Sequence, residues 1–321
     1  MTAVLAIHGG AGAIPRADLG EDGYRAARAG LETALRAGWA ALGQSGSGGA
    51  LDAVEAAVRA LEDDPAFNAG YGAVFDAAGE HALDAAIMDG RTRAAGAVAA
   101  VKTVRNPVRA ARAVMEKSDC VLLTAAGADA FAAAQGLETV PQSYFSTDLR
   151  RHYLARAKEA EKGLVIRSLS EAEKHGTVGA VALDANGDLA AATSTGGYTN
   201  KPVGRLGDTP VIGAGTYAWN GHAAVSCTGQ GEFFIRHALA YDMAARMAYR
   251  GDSLVQAADG VIADLAPYGC GGGLVSVGAD GEIAMPFNTV GMYRGCIDRQ
   301  GRIWVGIYAD DFSVVGSVHE S

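Results

Sequence analysis

The chain has 321 residues, 44 of them glycine and 8 proline, and 27 lysines and arginines against 36 acidic residues leave a formal charge of −9. Glycine stands at about twice its usual share of about 7%. No Gly-X-Y period runs through the chain, which excludes collagen, and 49% hydrophobic residues suit a folded core rather than a disordered low-complexity chain. The acidic balance, with basic residues scattered rather than striped among aromatics, argues against a nucleic-acid or anionic-membrane partner and points to a small polar substrate.

Residues 2–7 favour a buried strand, and His8-Gly9-Gly10-Ala11-Gly12 reads as a tight loop after it. Apolar residues spaced by three and four predict amphipathic helices over 22–42 and 51–62, parted by a glycine-serine break at 45–49. Asp63 to Gly72 reads as a loop, with strands expected near 73–76 and 96–103 and helices near 107–117, 127–134 and 148–162. Between 163 and 176 the pattern decays into a polar, mobile segment. Beyond it, short strands are expected near 177, 189, 211, 223, 274, 282 and 303, with only two helices, 231–248 and 253–265. Turns such as Asn186-Gly187 and Asp280-Gly281 imply hairpins and antiparallel sheets. Helical blocks on either side of a strand-rich centre predict an α+β fold in which helices cover two stacked sheets, a four-layer αββα arrangement.

The four cysteines, Cys120, Cys227, Cys270 and Cys296, form no CxxC pair, and the N-terminal MTAVLAIHGG carries no charged leader, so a reducing cytoplasm without disulfides is expected. No apolar run reaches the roughly 18 residues of a membrane span.

The segment from Thr177 to Thr195 reads as one hairpin turning about Asn186, which sets Thr177 opposite Thr195 on one face, close enough for their hydroxyls to bond. By itself that is an ordinary cross-strand pair. Its location adds to it, because Thr177 opens a well-patterned strand directly after the polar segment, and Gly176 has no side chain to obstruct attack on its carbonyl. A threonine hydroxyl is a weak nucleophile that needs an adjacent base, and a free α-amine on the same residue, of pKa about 8, can serve. Such an amine exists only if the chain is cut before Thr177, so the pattern predicts self-cleavage at Gly176-Thr177 by an N→O acyl shift.

Five segments in order, HGGAG (8–12), FNAGYGAVF (67–75), HGTVGAVALD (175–184), TSTGGYTNKPVGRLGD (193–208) and CTGQGE (227–232), resemble the plant-type L-asparaginase/isoaspartyl peptidase family of N-terminal-nucleophile hydrolases. The resemblance covers nearly the whole chain. It implies an αββα sandwich, cleavage into an α subunit (1–176) and a β subunit (177–321), and an (αβ)2 assembly. Residue by residue, it makes Thr177 the nucleophile, Thr195 the hydroxyl beside it, and Asn68 a side chain near both. Arg205-Leu206-Gly207-Asp208 becomes the substrate clamp, with Arg205 holding the α-carboxylate and Asp208 the α-ammonium, and a guanidinium fork suits a carboxylate. Thr228-Gly229-Gln230-Gly231 completes the substrate site, Thr228 and Gly229 supplying the oxyanion hole, although the same segment alone reads as a capped strand-to-helix turn. His8 reads as structural. No cofactor is implied for the chemistry. A structural Na+ on the backbone carbonyls of Leu61, Glu62, Asp64, Phe67, Ala69 and Tyr71 is implied by the resemblance alone. Gln230, where relatives often carry a small or polar residue, bears on leaving-group preference. The implied activity is hydrolysis of β-aspartyl dipeptides and of the L-asparagine side-chain amide; a glycosylasparaginase-like amidase and a non-cleaving amino-acid binder are the alternatives.

Overall fold

The computed structural model describes residues 3–42, 49–161 and 176–319. Residues 163–175 of the expected mobile segment, and 45–48 of the expected break, lie outside the described residues.

Thirteen strands form two sheets among the described residues. The larger holds β1 (Val4–Gly12), β2 (Leu83–Asp89), β3 (Ala95–Val101), β4 (Leu122–Thr124), β5 (Val178–Leu183), β6 (Leu189–Thr195), β11 (Gly291–Ile297), β12 (Arg302–Gly306) and β13 (Ser313–Ser317). Their order is β13-β12-β11-β1-β5-β6-β2-β3-β4. The smaller sheet, ordered β10-β9-β8-β7, contains β7 (Thr216–Ala218), β8 (Ala223–Gly229), β9 (Gly272–Gly278) and β10 (Ile283–Ala284). Neighbours are antiparallel except for β3 with β4.

Two cores explain why the central strands read as nearly continuous apolar runs. Leu5, Ile7, Ala180, Ala182, Ala190 and Ala192 face the helical layer, while Val4, Ala6, Val181, Leu183, Leu189 and Ala191 face the second sheet. The first layer contains α1 (Arg16–Leu42), α2 (Gly49–Glu62) and α3 (Pro107–Lys117), with α2 on β5 and β6 and α3 on β2 and β3. On the other side α7 (Leu239–Ala245) and α8 (Leu254–Ala263) cover β8 and β9, and β5 and β6 meet β8 between the layers. The result is the α+β, four-layer αββα sandwich. The remaining α-helices among the described residues are α4 (Ala125–Ala134), α5 (Asp148–Glu161) and α6 (Gly231–His237).

Several expectations need correction. The helix expected over 231–248 is broken by Ala238, which takes a left-handed φ of 47°, into α6, α7 and a π-helical turn over Arg246–Arg250. One residue leaving helical φ/ψ does not disturb apolar spacing, so periodicity passes over it. No strand forms at 73–76, where only Asp76 bridges to Lys201, and the strand expected near 211 lies at 216–218. HGGAG is not a loop: β1 runs through it, with a bulge between His8 and Gly10. Gly10 takes a φ of +114° there, and a Cβ on it would lie 3.2 Å from the Thr177 amide nitrogen.

The alternation that builds the cores also builds a site. Continued past the apolar stretch, the sheet-facing positions of β1, β5 and β6 become His8, Gly179, Thr193 and Thr195, so the layer between the sheets turns polar at one end.

Candidate active site

The hairpin register pairs Val178 with Ser194 and Gly179 with Thr193, so Thr177, one residue before β5, stands opposite Thr195. Its hydroxyl donates to Thr195 Oγ1 at 3.1 Å, and Thr195 in turn donates to the Gly176 carbonyl at 3.0 Å. Asn68 Nδ2 donates to the same carbonyl at 2.8 Å and to the Gly197 carbonyl at 2.7 Å, while Asn68 Oδ1 accepts from the Val74 amide. Gly197 N–H occupies the remaining side of Thr195 Oγ1 at 2.9 Å. The Gly176-Thr177 peptide is therefore gripped at its oxygen by two donors, with a hydroxyl chain running from Thr177 to that oxygen.

Beside it lies a cavity of about 10 Å³ lined by Gly176, Thr177, Thr195, Gly197, Arg205, Gly207, Asp208 and Gly229. That is room for about one water. Arg205 donates through Nε to Glu232 at 2.9 Å and lies over the Tyr198 ring at 4.6 Å, which fixes the fork from its rear edge and one face. A Cβ on Gly207 would lie 2.9 Å from Arg205 Nη1, and one on Gly231 would lie 2.7 Å from Asp208 Oδ1, so both glycines keep the charged groups clear.

Asp208 is buried, and its Oδ2 has no hydrogen-bond partner among the described residues. Burial pushes its pKa up to about 7, against the pull of the Arg205 cation. Above that pH the carboxylate is ready for an ammonium group, and below it the proton must first leave. The inhibition constant of L-aspartate, as a competitive amino-acid ligand, is expected to rise about tenfold per unit as pH falls below about 7. A constant that stays flat from pH 8 to 5.5 would remove Asp208 from ligand binding.

Thr228, buried at the end of β8, accepts from the Ala11 amide at 3.1 Å, which leaves its own proton free to donate. Gly229 faces the cavity, whereas Thr228, Leu206, Gln230, Gly231 and Asn68 are not among its lining residues. Gln230 sits at the N-cap position of α6 without a side-chain cap bond, so the capped turn does not form.

A family model described as asparaginase matches residues 1–307. The chain belongs to this family. It is similar to the isoaspartyl peptidase of Escherichia coli (strain K12), 51% identical over 296 residues that cover 91% of this chain and 92% of the relative. It is also similar to the human isoaspartyl peptidase/L-asparaginase, 40% identical over 316 residues covering 98% of this chain and 99% of the relative. The probable isoaspartyl peptidase/L-asparaginase 2 of Arabidopsis thaliana is 41% identical over 325 residues, with 95% and 98% covered. The αββα sandwich of this family member is thus the N-terminal-nucleophile hydrolase fold.

Sequence reasoning missed the support behind the threonines. Asp84 of β2 pairs in register with Thr195, and Lys201 is buried with Nζ donating to the Ala82 carbonyl at 2.7 Å. Burial raises the Asp84 pKa and lowers that of Lys201, and each opposes the shift of the other through their opposite charges. It also missed Glu232 and Tyr198. A glutamate three residues past Gly229, and a tyrosine in the Thr195 to Lys201 stretch, were visible but had no partner until Arg205 was placed.

The segment from Leu61 to Tyr71 reverses on the end of α2. A Cβ on Gly70, at φ +48°, would lie 2.4 Å from the Glu62 carbonyl oxygen. The Leu61 and Glu62 carbonyls belong to the last turn of α2, the negative end of its dipole, and every donor in the set is a hard oxygen, which fits a hard cation. The Glu62 side chain has a separate role. It accepts from Ser194 Oγ at 2.6 Å and from the Val108 amide at 2.9 Å, and burial pushes its pKa up to about 8.

Proposed function

We propose that the chain is a self-processing amidohydrolase that cleaves β-aspartyl dipeptides and the side-chain amide of L-asparagine, releasing L-aspartate through an acyl-enzyme on Thr177. The observation that carries this is the convergence of Asn68, Thr195 and Thr177 on the Gly176 carbonyl, next to a guanidinium and a buried carboxylate.

In processing, Thr177 Oγ attacks the Gly176 carbonyl carbon while its proton passes through Thr195 toward the developing oxyanion, which Asn68 Nδ2 also faces. The tetrahedral oxygen then gives that proton up to the Thr177 nitrogen as the C–N bond breaks and the C=O re-forms, leaving an ester on Thr177 Oγ and a free α-amine. Water hydrolyses the ester to the Gly176 carboxylate. The products are an α subunit of residues 1–176 and a β subunit of 177–321 that begins with the nucleophile. A cavity with room for one water does not admit an amino acid, so departure of Gly176 is also what opens the site.

In turnover the new α-amine takes the Thr177 hydroxyl proton. Arg205 holds the substrate α-carboxylate and Asp208 the α-ammonium, which directs the β-carbonyl to Thr177. Thr228 Oγ1–H and the Gly229 amide face the oxyanion. The amine leaves with a proton, and water releases aspartate from the ester. Both substrate classes offer the same head group and β-carbonyl, which is why one clamp serves them. The names of the relatives support the same pair of activities.

Assays of the wild type side by side on a β-aspartyl dipeptide, L-asparagine and a glycosylated asparagine test the reading. Aspartate release from the first two, well above the third, is the expected result, and preference for the glycosylated substrate would replace it with the glycosylasparaginase reading.

A Na+ ion held by the carbonyls of Leu61, Glu62, Asp64, Phe67, Ala69 and Tyr71 would stiffen the loop that carries Asn68. Replacing Na+ by tetramethylammonium is expected to lower the melting temperature and the turnover together, whereas an unchanged melting curve would leave the loop without an ion. Assembly as (αβ)2 is proposed on the resemblance and is checked by the native mass. The four cysteines are free thiols, which suits a reducing cytoplasm, to be checked by cell fractionation. No described helix is long and apolar enough to cross a membrane.

A further inference from the structure

A string of buried polar groups crosses both sheets behind the nucleophile. His8 Nδ1 lies 3.0 Å from the Thr177 carbonyl oxygen, and His8 Nε2 lies 2.9 Å from Ser226 Oγ. Ser226 Oγ is 2.7 Å from Thr193 Oγ1, which is 2.7 Å from Thr216 Oγ1. These four side chains come from β1, β8, β6 and β7, and all are fully buried. In the large sheet His8, Gly179 and Thr193 form one row across β1, β5 and β6. Ser226 enters from the small sheet over the place where Gly179 has no side chain, since a Cβ there would lie 1.9 Å from Ser226 Oγ and 2.4 Å from His8 Nε2.

The chemistry of the groups fixes the direction of this string. A carbonyl oxygen only accepts, so His8 Nδ1 carries the hydrogen. A neutral imidazole then has a bare Nε2, which must accept from Ser226. With its one proton spent there, Ser226 is left to accept from Thr193 at 2.7 Å, shorter than the 3.3 Å from Thr193 to the Gly215 carbonyl, and Thr193 accepts from Thr216 at 2.7 Å, against 3.3 Å from Thr216 to the Thr209 carbonyl.

We propose that Ser226, Thr193 and Thr216 form a directional relay that satisfies and holds the bare Nε2 of the Nδ1–H imidazole, making His8 the positioning residue for the Thr177 peptide and hence for the nucleophilic hydroxyl and amine. Without Ser226 the Thr177 carbonyl still calls for Nδ1–H, but Nε2 is left a buried acceptor without its donor, and the ring loses the contact that fixes it against the Thr177 peptide. This rests on Thr177 being the nucleophile, and it gives the structural role expected of His8 definite partners and a direction. It also accounts for a fully buried polar string at the end of the layer between the sheets, next to its apolar stretch.

Two measurements test it. In full-length wild type at pH 7, ¹⁵N spectra with labelled histidine are expected to show His8, assigned by its loss in His8→Asn, with hydrogen on Nδ1 and none on Nε2. Hydrogen on Nε2, or an imidazolium, would overturn the relay. In kinetics on a β-aspartyl dipeptide, Ser226→Ala is expected to lower kcat about tenfold, the rate equivalent of one buried hydrogen bond, with KM within about twofold, because Arg205 and Asp208 are untouched. His8→Asn keeps an N–H at the Nδ1 position and is expected to process itself and stay within about threefold of wild type, while His8→Leu loses both. An unchanged kcat in Ser226→Ala, or His8→Asn as defective as His8→Leu, would reduce the string to packing. If wild type neither cuts itself nor releases aspartate, the catalytic reading fails while the tautomer result still stands on its own.

Discussion

Thr177→Ala is expected to run as one uncut chain on a denaturing gel and to lose hydrolysis by at least about 10⁴-fold. Both losses follow from one atom. Thr177 Oγ1 is the hydroxyl that reaches Thr195 at 3.1 Å beside the Gly176 carbonyl, and alanine has no oxygen with which to form the ester. Alanine leaves the grip on the peptide intact, since Asn68 Nδ2 and Thr195 Oγ1 still hold the oxygen. The variant should therefore fold normally and simply wait. Thr177→Ser restores a hydroxyl and should cut, more slowly, because without the methyl the side chain is less restricted at χ1. Two chains of normal size from Thr177→Ala would mean that another group performs the cleavage.

Arg205→Ala separates the two reactions. The Gly176 carbonyl is bound without help from the guanidinium, so processing should proceed, whereas a substrate that loses its carboxylate partner should suffer about 10²–10³-fold in kcat/KM, mostly as a raised KM. Arg205→Lys should recover little. A lysine restores the charge but not the planar fork, which here is held from its rear edge by Glu232 and stacked on Tyr198. Wild-type kcat/KM in Arg205→Ala would move the carboxylate site elsewhere.

How much of this was legible depended on the distance over which each feature is decided. The opposition of Thr177 and Thr195 comes from a hairpin closed at Asn186-Gly187, a local matter, and the structure pairs the strands in the expected register. Which layer each residue of β5 and β6 faces was not legible, because a nearly continuous apolar run looks alike on both faces. Arg205, Asp208, Thr228 and Asn68 became interpretable only through resemblance, because spacing alone does not say that Asn68 and Gly176, 108 positions apart, share a hydrogen bond. His8 was read as structural, and the structure buries it, but what it supports was hidden for the same reason. Its partners Thr177 and Ser226 lie 169 and 218 positions away, and only the β1–β5 pairing and the stacking of the sheets bring them together. The broken helix at Ala238 and the bulged strand through HGGAG were hidden differently, since a single unusual φ leaves hydrophobic patterning unchanged.

The central claim is that Gly176-Thr177 is a self-cleaving bond whose new terminus is the catalyst, and the intact mass of purified wild-type protein, followed over time and combined with N-terminal sequencing, tests it most directly. The expected result is two chains whose masses sum to the full chain plus one water, the second beginning Thr177-Val178-Gly179, with aspartate release from a β-aspartyl dipeptide growing in step with cleavage. A single uncut species after long incubation, or full hydrolytic activity in protein that remains uncut, would contradict it.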